Sequence, residues 1–566
     1  MPLHFYDSSQ PPPPGNPEPV PPPNDETAAS AKTTGLVAIA IMCSRVLGLI
    51  RDMIFANLFH KGLRDCFLVA FRTPNMLRDL FAEGALSTAF VTVFSQKMKT
   101  EGDRPAWELA HRILSLTVVF MSAVALLGVL LAPLIIRLLA GGWADEEWKI
   151  PFTVTLAQVM FPFILLVSLA ALVMGILNAK KVYGVPAMAS SFFNITSIVG
   201  GAGLGWLMEK WFGDWDKTHE FGQWAMIGFS IGTLLGGLAQ LGVQLPSLWK
   251  LGYHFRFIRD WKDAGVQRIL HLMWPAVIAG SAVQVNVLLN TIFASYLATK
   301  DGPVSWLNYA FRLMQLPLGV FGVAVATVTL PALSRVATEG ITPKFREILG
   351  GGNRLVIFLT LPCAVGLVLL AHPIISVLYE RGKFSADETI ATAGALQWYA
   401  VGLVFYACIK IVQPAFTAIG HRFVPMVVAL ISIGVNAGLN SVFVFVFRWD
   451  HTWLAFTTAV VACANCTILY VMLTRIAGGL EGRKLLASMC RLVLPVAALG
   501  LVAWLGWHFF MEQGWQAFGF MRRCFMLGLT ITAAGTAYMM LSHLLKVEEA
   551  KQFMDLATRK LRRRAA

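Results

Sequence analysis

Long apolar stretches recur along almost the whole chain, and most of them reach the length of a membrane span. A spanning helix needs about 20 mostly apolar residues. We place about fourteen such stretches, at 34–59, 66–96, 110–140, 151–178, 184–208, 222–249, 266–298, 303–335, 354–379, 389–418, 423–447, 452–475, 487–511 and 522–545. Only 14% of the 566 residues are charged, against roughly 25% in soluble domains. The sequence therefore predicts an all-α polytopic membrane protein.

The net charge of +14 is distributed unevenly between the loops. With the N-terminus placed in the cytoplasm, the cytoplasmic loops receive most of the basic residues, including Lys97, Lys99, Lys180, Lys181, Arg256, Arg259, Lys344 and Arg346. The external loops receive acidic residues such as Asp145, Glu146 and Asp214. This is the positive-inside asymmetry of membrane proteins, so the charge indicates topology and not a nucleic-acid partner. An even number of spans returns the C-terminus to the cytoplasm.

The two ends of the chain differ from the rest. Residues 1–33 contain proline runs at 11–14 and 21–23, which predict a disordered cytoplasmic extension with polyproline II character. No basic segment leads there into a short apolar core, so we do not expect a cleavable signal peptide. Residues 547–566 form a basic cytoplasmic tail, which we interpret as a helix end that faces solvent or lipid headgroups.

An internal repeat relates two halves of the chain. The segment Ile54 to Arg72 resembles the segment Ile292 to Arg312, and Ala-Phe-Arg ends both, at an offset of 240 residues. That offset covers six predicted spans, an even number, so the halves are parallel repeats. Such repeats are typical of alternating-access transporters, whose substrate site lies between the halves near the bilayer midplane. We predict two six-helix lobes, 34–250 and 251–476, followed by two C-terminal helices in 477–546.

Several spans carry ionisable side chains at mid-depth, where each costs about 2.5–3.5 kcal/mol to insert. They are Arg45, Arg51, Asp52, Arg72, Arg78, Asp79, Glu83 and Arg312. One interpretation is a set of structural ion pairs that join the first two spans. The arginines outnumber the acids, however, which favours a positively charged cavity that receives an anion. Guanidinium groups bind phosphate through two parallel hydrogen bonds, and so we expect a phosphate or pyrophosphate ligand held mainly by Arg45, Arg78 and Arg312.

A second polar set lies in the later spans, and it carries no net charge. It comprises Asn290, Asn436, Asn440 and Thr457, with Thr458 beside the last. Amides and hydroxyls between helices usually join those helices by hydrogen bonds, and an alkali-cation site is the alternative. The chain has no nucleotide-binding loop, catalytic motif or metal-binding motif. Gly200 to Gly205 and the pair Cys463 and Cys466 are interpreted as small residues for helix packing.

Three motifs carry a resemblance to a known family. They are SRVLGLIRD (44–52), FRTPNMLRDLFAEGALSTAF (71–90) and YAFRLMQLPLGVFGVAVATVTLPALS (309–334), and GKFSADET (382–389) adds to them. Over residues 34–545 the chain resembles the MurJ/MviN family of lipid II flippases. The resemblance implies fourteen helices, with the last two forming a groove for the lipid tail. It also implies that Arg45, Arg51, Arg78 and Arg312 bind substrate and that Asp52 and Glu83 act near the gate.

The chain departs from the family pattern in two places. Many members have an acid before the arginine of the eighth span, where this chain has Phe311. Some members bind sodium through aspartates that match Asn290 and Asn440 here. Neutral amides bind Na⁺ more weakly than carboxylates, which argues against sodium coupling and leaves the membrane potential as an energy source.

The most concrete hypothesis is a flippase in peptidoglycan synthesis. It would move undecaprenyl-pyrophosphate-linked precursor across the bacterial inner membrane by alternating access, without ATP or another cofactor, in contact with membrane lipids and cell-wall synthesis proteins. The alternatives are an exporter of another polyprenyl-linked saccharide and a drug or cation antiporter. An antiporter would need cavity acids to attract cations. A membrane glycosyltransferase would need catalytic carboxylates on a large external loop, and the loops here are short.

Overall fold

The protein is an all-helical bundle in the computed structural model, which describes residues 25–421 and 423–554. Side chains are described from Val37 onward, apart from Ala38, residues 82–85 and seven positions between 275 and 283. The described part contains no β-strand. Its long helices are α1 (Asp25–Leu58), α2 (61–100), α3 (Asp103–Leu139), α4 (Lys149–Ala179), α5 (Gly184–Phe212), α6 (Gln223–Lys250), α7 (Ala264–Ser295), α8 (Pro303–Ala337), α9 (Pro343–Leu369), α10 (Ala386–Ala418), α11 (Phe423–Val446), α12 (Thr452–Ala477), α13 (Gly482–Phe510) and α14 (Phe520–Leu544).

Each predicted apolar stretch overlaps one of these helices, and the stretch 354–379 also covers a separate short helix, Ala371–Tyr379. Within the described residues, eleven are long and apolar enough to cross a membrane. The other three are α1, α2 and α7. Charged side chains interrupt the apolar runs of α1 and α2, and α7 includes side chains outside the described part. The all-α membrane fold is thus confirmed, with eleven spans established by length and composition.

The chain ends are only partly described. Helix α1 begins at Asp25, so its first turns fall within the extension that we expected to be disordered. The proline runs lie in residues 1–24, outside the described residues. Likewise, the arginines of the basic tail lie in 555–566, beyond the described part.

Helices α5 and α6 pack closely through glycines. A Cβ built on Gly232 would lie 2.2 Å from the Cα of Gly201, and one on Gly228 would lie 2.6 Å from the carbonyl oxygen of Leu204. Such distances leave no room for any side chain. The glycine-rich run at 200–205 therefore serves helix packing, as the sequence indicated.

Among the described residues, the lobes share their largest apolar cluster at one end of the bundle, and at the other end only the start of α7 packs against the first lobe. Where α1 ends and α2 begins, one cluster joins Phe55 and Phe67 of the first lobe to Leu307, Tyr379 and Leu396 of the second. At the opposite end the buried apolar residues divide into two clusters. One combines α2, α3, α4 and the end of α6 with the start of α7, and the other combines residues of α8 to α14. We name these the sealed end and the divided end.

Polar contacts across the lobes reinforce the sealed end. Arg64 and Glu388 form a buried ion pair, with 0% and 5% of their side-chain surfaces exposed. The Trp306 indole also donates to Glu388, at 3.1 Å. Asp65 accepts hydrogen bonds from the backbone N–H groups of Gly302 (2.7 Å) and Ser305 (2.8 Å), at the first turn of α8. A carboxylate at that position is favoured by the positive end of the helix dipole.

Two further contacts close the rim of the sealed end. Lys149 pairs with Asp301 at 2.6 Å. In the loop before α6, Glu220 accepts hydrogen bonds from Lys383 and from His60, and these hold the pKa of its carboxyl below the usual value. Because that pKa is depressed, the Lys383–Glu220 contact persists at mildly acidic pH and weakens only as the pH falls through the lowered pKa.

Candidate functional site

The central arginines come together where α1, α2 and α8 meet between the lobes. Asp52 of α1 contacts two of them: Arg51 donates to its Oδ1 at 3.1 Å, and Arg312 of α8 lies 2.6 Å from its Oδ2. The Arg312 side chain remains 39% exposed, while that of Asp52 is 11% exposed. The carboxylate therefore links the two repeat halves, and the Arg312 side chain stays partly exposed.

Helix α2 contributes the remaining charges of the cluster. Arg78 donates to the neighbouring Asp79 at 2.8 Å, and Asp79 also accepts a hydrogen bond from Gln284 of α7 at 3.3 Å. Arg51 is close enough to both Arg78 and Arg312 to interact with them electrostatically. The side chain of Glu83 lies outside the described part of the chain, and its predicted gate role stays a prediction.

Arg45 is placed differently from the other predicted arginines. Within the described part of the chain its guanidinium has no hydrogen bond or ion pair, and it lies against Gly319 of α8. The acid on the same helix, Asp52, pairs with Arg51 and Arg312 instead. Arg45 is thus held by shape and not by a counter-charge.

A fifth arginine belongs to this cluster although it was absent from the predicted site. Arg72 of α2 lies near Asp79 and near Tyr399 of α10, and its Nε is buried without a hydrogen-bond partner in the described part. Its repeat partner is Arg312, 240 residues later. That equivalence was the signal for it in the sequence. Among the described side chains the cluster thus holds five arginines (45, 51, 72, 78, 312) and two acids (52, 79).

Helices in this region depart from regular α geometry at matching places. A π-helical segment begins at Arg78 in α2 (Arg78–Leu86), and another begins at Leu318 in α8 (Leu318–Gly322). The two starting points are 240 residues apart (318 − 78), which is the repeat offset. π-Helical turns inside α-helices occur frequently at functional sites.

The predicted amide set forms one hydrogen-bonded group between α7 and α11. Asn290 accepts from Asn436 and from Asn440, each at 3.1 Å, and donates to Thr458 at 3.2 Å. Asn436 also donates to Asn286. Asn436 and Asn440 are fully buried, and their side-chain oxygens have no partner in the described part. The group therefore joins helices, and it also presents two buried carbonyl oxygens.

Thr457 does not take part in this group through its hydroxyl, which donates to the carbonyl of Trp453 on its own helix at 2.9 Å. The neighbouring Thr458 fills that place, because its position on α12 faces α7. No cluster of three or more His, Cys, Asp or Glu side chains suited to a metal ion occurs in the described residues. Cys463 and Cys466 are free thiols.

An apolar cavity of about 520 Å³ lies on the second lobe beside α13. Its walls come from α9, α10, α12 and α13, including Leu361, Val365, Val404, Cys408 and Met489. A wall of this composition accepts hydrocarbon and excludes polar groups.

Comparison with known proteins points to one family. A family model described as lipid II flippase MurJ matches residues 54–525. A "Probable lipid II flippase MurJ" of Bdellovibrio bacteriovorus is 32% identical over 92% of this chain and 95% of its own length. The protein of the same description in Vibrio cholerae is 32% identical over 90% and 95%. A "Lipid II flippase MurJ" of Burkholderia cenocepacia is 32% identical over 77% and 82%.

Solved structures support the fold. A lipid II flippase MurJ in an "inward closed conformation" matches with a TM-score of 0.69 at 24% identity, covering 89% of this chain and 98% of that one. An inward-facing multidrug transporter of the MATE family matches with a TM-score of 0.61 at 13% identity, over 78% and 98%. Both matches show a similarity of fold.

Proposed function

Since the chain belongs to the lipid II flippase MurJ family, we propose that it carries lipid II across the bacterial inner membrane. The cargo is a peptidoglycan precursor with an undecaprenyl-pyrophosphate anchor. It moves from the cytoplasmic to the periplasmic leaflet, and no bond in it is made or broken. The protein is thus a multi-pass transporter that serves cell-wall synthesis.

The observation that carries this proposal is the surplus of guanidinium groups between the lobes. Five arginines face two carboxylates among the described side chains, and adding Glu83 would still leave the arginines in excess. Buried positive charge is costly unless something compensates it. A pyrophosphate supplies that compensation, and its oxygens accept the paired N–H donors of arginine. The same cluster disfavours an antiporter of cationic drugs, because it would repel them.

The state of the bundle suits substrate loading. With the N-terminus in the cytoplasm, as the loop charges indicate, the divided end faces the cytoplasm and the sealed end faces the periplasm. Lipid II is made at the cytoplasmic surface, so its headgroup would enter between the separated clusters. The polyprenyl tail would remain in the bilayer, next to the apolar cavity beside α13. Rocking of the lobes would then exchange access between the two sides.

The energy source is proposed from the buried amides. Asn290, Asn436 and Asn440 carry no charge, and their hydrogen bonds to one another already join α7 to α11. We therefore propose that turnover does not require Na⁺ and that the membrane potential contributes, since one charge gains about 2.3 kcal/mol per 100 mV. We expect no ATP hydrolysis on this chain. Cell-wall synthases are the proposed protein partners, because they consume the translocated precursor.

Substitution of the central arginines tests the function. In cells that depend on this protein, the leaflet that holds lipid II is measured after replacing wild type by Arg312→Ala or Arg312→Lys. An Arg–phosphate contact can reach about 4 kcal/mol at an effective dielectric near 20, so Arg312→Ala should block translocation. Arg312→Lys keeps the charge but loses the paired donors, and should reduce it.

The matched control is Arg104→Ala, whose side chain is 93% exposed and pairs only with Glu108 on its own helix. Normal translocation by a well-expressed Arg312→Ala protein would contradict the proposal. Accumulation of lipid II in the cytoplasmic leaflet with the control unaffected would support it.

A further inference from the structure

Helices α1 and α8 face each other across the arginine cluster, and each presents a glycine to the end of an arginine side chain of the other. A Cβ built on Gly319 of α8 would lie 2.4 Å from Nη1 of Arg45 and 3.0 Å from both Cζ and Nη2. A Cβ built on Gly48 of α1 would lie 3.1 Å from Nη2 of Arg312. The guanidinium of Arg45 therefore occupies the space that any side chain at 319 would need.

From this geometry we propose that Gly319, assisted by Gly48, is a positioning residue for the headgroup's anionic phosphates. The backbone at Gly319 forms a flat surface against which the Arg45 guanidinium packs, and we call this surface the seat. In the same way, the missing side chain at Gly48 of α1 leaves room for Arg312 of α8. The inference rests on the proposed function, since it names the residues that hold two of the substrate's arginines in place.

Arg45 needs the seat because no hydrogen bond or ion pair in the described part of the chain fixes its side chain. Arg312 is held by Asp52 at 2.6 Å, whereas Arg45 has no hydrogen bond or ion pair in the described part of the chain. A flexible arginine without a partner loses rotamer entropy when a ligand fixes it. Contact with Gly319 restricts Arg45 beforehand while its N–H donors stay unused, so they remain available to phosphate oxygens. Pre-organisation of this kind raises affinity without a new contact to the ligand.

The backbone of α8 is shaped for this contact. Gly319 lies in the π-helical turn Leu318–Gly322, where the wider turn displaces the helix surface locally. At this position the absence of a Cβ leaves the space that the Arg45 guanidinium occupies. Other helical glycines show the contrast, because Gly203 of α5 and Gly366 of α9 would each accept a Cβ with nothing within 4 Å.

The substitution Gly319→Ala should spare the fold and disturb the binding of substrate. The atoms that a Cβ would meet belong to the far end of the flexible Arg45 side chain, so Arg45 can move away while the helices stay packed. In detergent-purified protein, we expect Gly319→Ala to weaken binding of purified lipid II about tenfold, the value of one charge-assisted hydrogen bond. Gly48→Ala requires a shift of only a few tenths of an ångström, and we expect a loss below about threefold.

Two matched controls and a double-mutant cycle separate positioning from a general structural effect. Gly203→Ala and Gly366→Ala add the same methyl group to open space and should leave lipid II binding unchanged. In the Arg45→Ala background, Gly319→Ala should cause no further loss, because the residue acts only through Arg45. An equal loss in both backgrounds, or no loss in either, overturns the proposal.

A ligand-free measurement keeps this inference distinct from the proposed function. The same four proteins of the cycle are compared by thermal unfolding without lipid II. We expect the effect of Gly319→Ala on Tm to differ between the Arg45 and Arg45→Ala backgrounds, since the two side chains touch. If the Tm changes of the two substitutions are additive, the proposed contact between Gly319 and Arg45 is wrong. If wild type fails to bind lipid II but the Tm changes of Gly319→Ala and Arg45→Ala are not additive, the proposed function is wrong and the contact between Gly319 and Arg45 is supported.

Discussion

The buried ion pair between Arg64 and Glu388 should control how firmly the sealed end is closed. It joins α2 of the first lobe to α10 of the second, with 0% and 5% of the side-chain surfaces exposed. Glu388 also accepts from the Trp306 indole at 3.1 Å. When the lobes part at this end, both charges regain water. Glu388→Gln therefore penalises the sealed state, where Arg64 would be buried without a counter-charge, more than the open one.

The size of the effect follows from the burial. Breaking a buried pair by removing one partner costs about 3–5 kcal/mol, and the lower value applies here because glutamine still accepts a hydrogen bond. About 3 kcal/mol is roughly a 150-fold change in an equilibrium constant. A sealed-to-open ratio of about 99:1 would fall to roughly 2:3. Arg64→Met combined with Glu388→Leu should restore most of the sealing, because an apolar pair of similar volume leaves no orphaned charge, although the Trp306 indole N–H loses its acceptor.

The native Cys66 provides the assay. It lies in the shared core of the sealed end and is fully buried, and the other seven cysteines can be replaced. A membrane-impermeant maleimide added from the periplasmic side should label Cys66 slowly in wild type and much faster in Glu388→Gln. Glu108→Gln, which removes an exposed pair near the other end of the bundle, should match wild type. Unchanged labelling in a Glu388→Gln protein of normal thermal stability would refute the reasoning.

Two other predictions concern the amide group and the glycine packing. Replacing Na⁺ by K⁺ should leave transport by wild type unchanged. Asn440→Ala should lower thermal stability, because it removes a hydrogen bond between α7 and α11, and it should not change how transport depends on Na⁺. If wild type requires Na⁺ steeply and Asn440→Ala loses that requirement, the amides do not merely join the helices. Gly232→Val should lower the free energy of unfolding by several kcal/mol or prevent membrane insertion, because its Cβ would lie only 2.2 Å from the Cα of Gly201. The control is Gly203→Val, whose side chain would face open space.

The spans were predictable because hydropathy and length alone determine which segments enter a bilayer. Each predicted stretch overlaps a helix of the structure. Local geometry was less accessible: α1 begins at Asp25 and not near residue 34, and the π-helical turns at Arg78 and Leu318 carry no hydropathy signal. Such turns depend on tertiary contacts, which periodicity does not record.

The sequence predicted which arginines lie together, but it did not predict which acids they pair with. The cost of burying charge pointed to Arg45, Arg51, Arg78 and Arg312, all of which meet between the lobes. Their partners depend on how helices distant in sequence cross, so the sequence did not show that Asp52 reaches Arg312 of α8. Arg72 was counted among the charges inside the spans but was not assigned to the substrate site, despite its repeat equivalence to Arg312. The Arg64–Glu388 pair was missed because charges near the ends of spans resemble ordinary loop charges.

The pairing of Asp52 explains how an arginine cluster persists without its ligand. Its carboxylate receives Arg51 on one oxygen and Arg312 on the other, so a single negative charge compensates two cations. The ion pair joins Nη1 of Arg312 to the carboxylate, and a guanidinium can form five hydrogen bonds. An incoming phosphate therefore need not displace Asp52 to bind Arg312. The acid positions the guanidinium and reduces its cost in the membrane, while the cluster as a whole keeps the positive charge that attracts the headgroup.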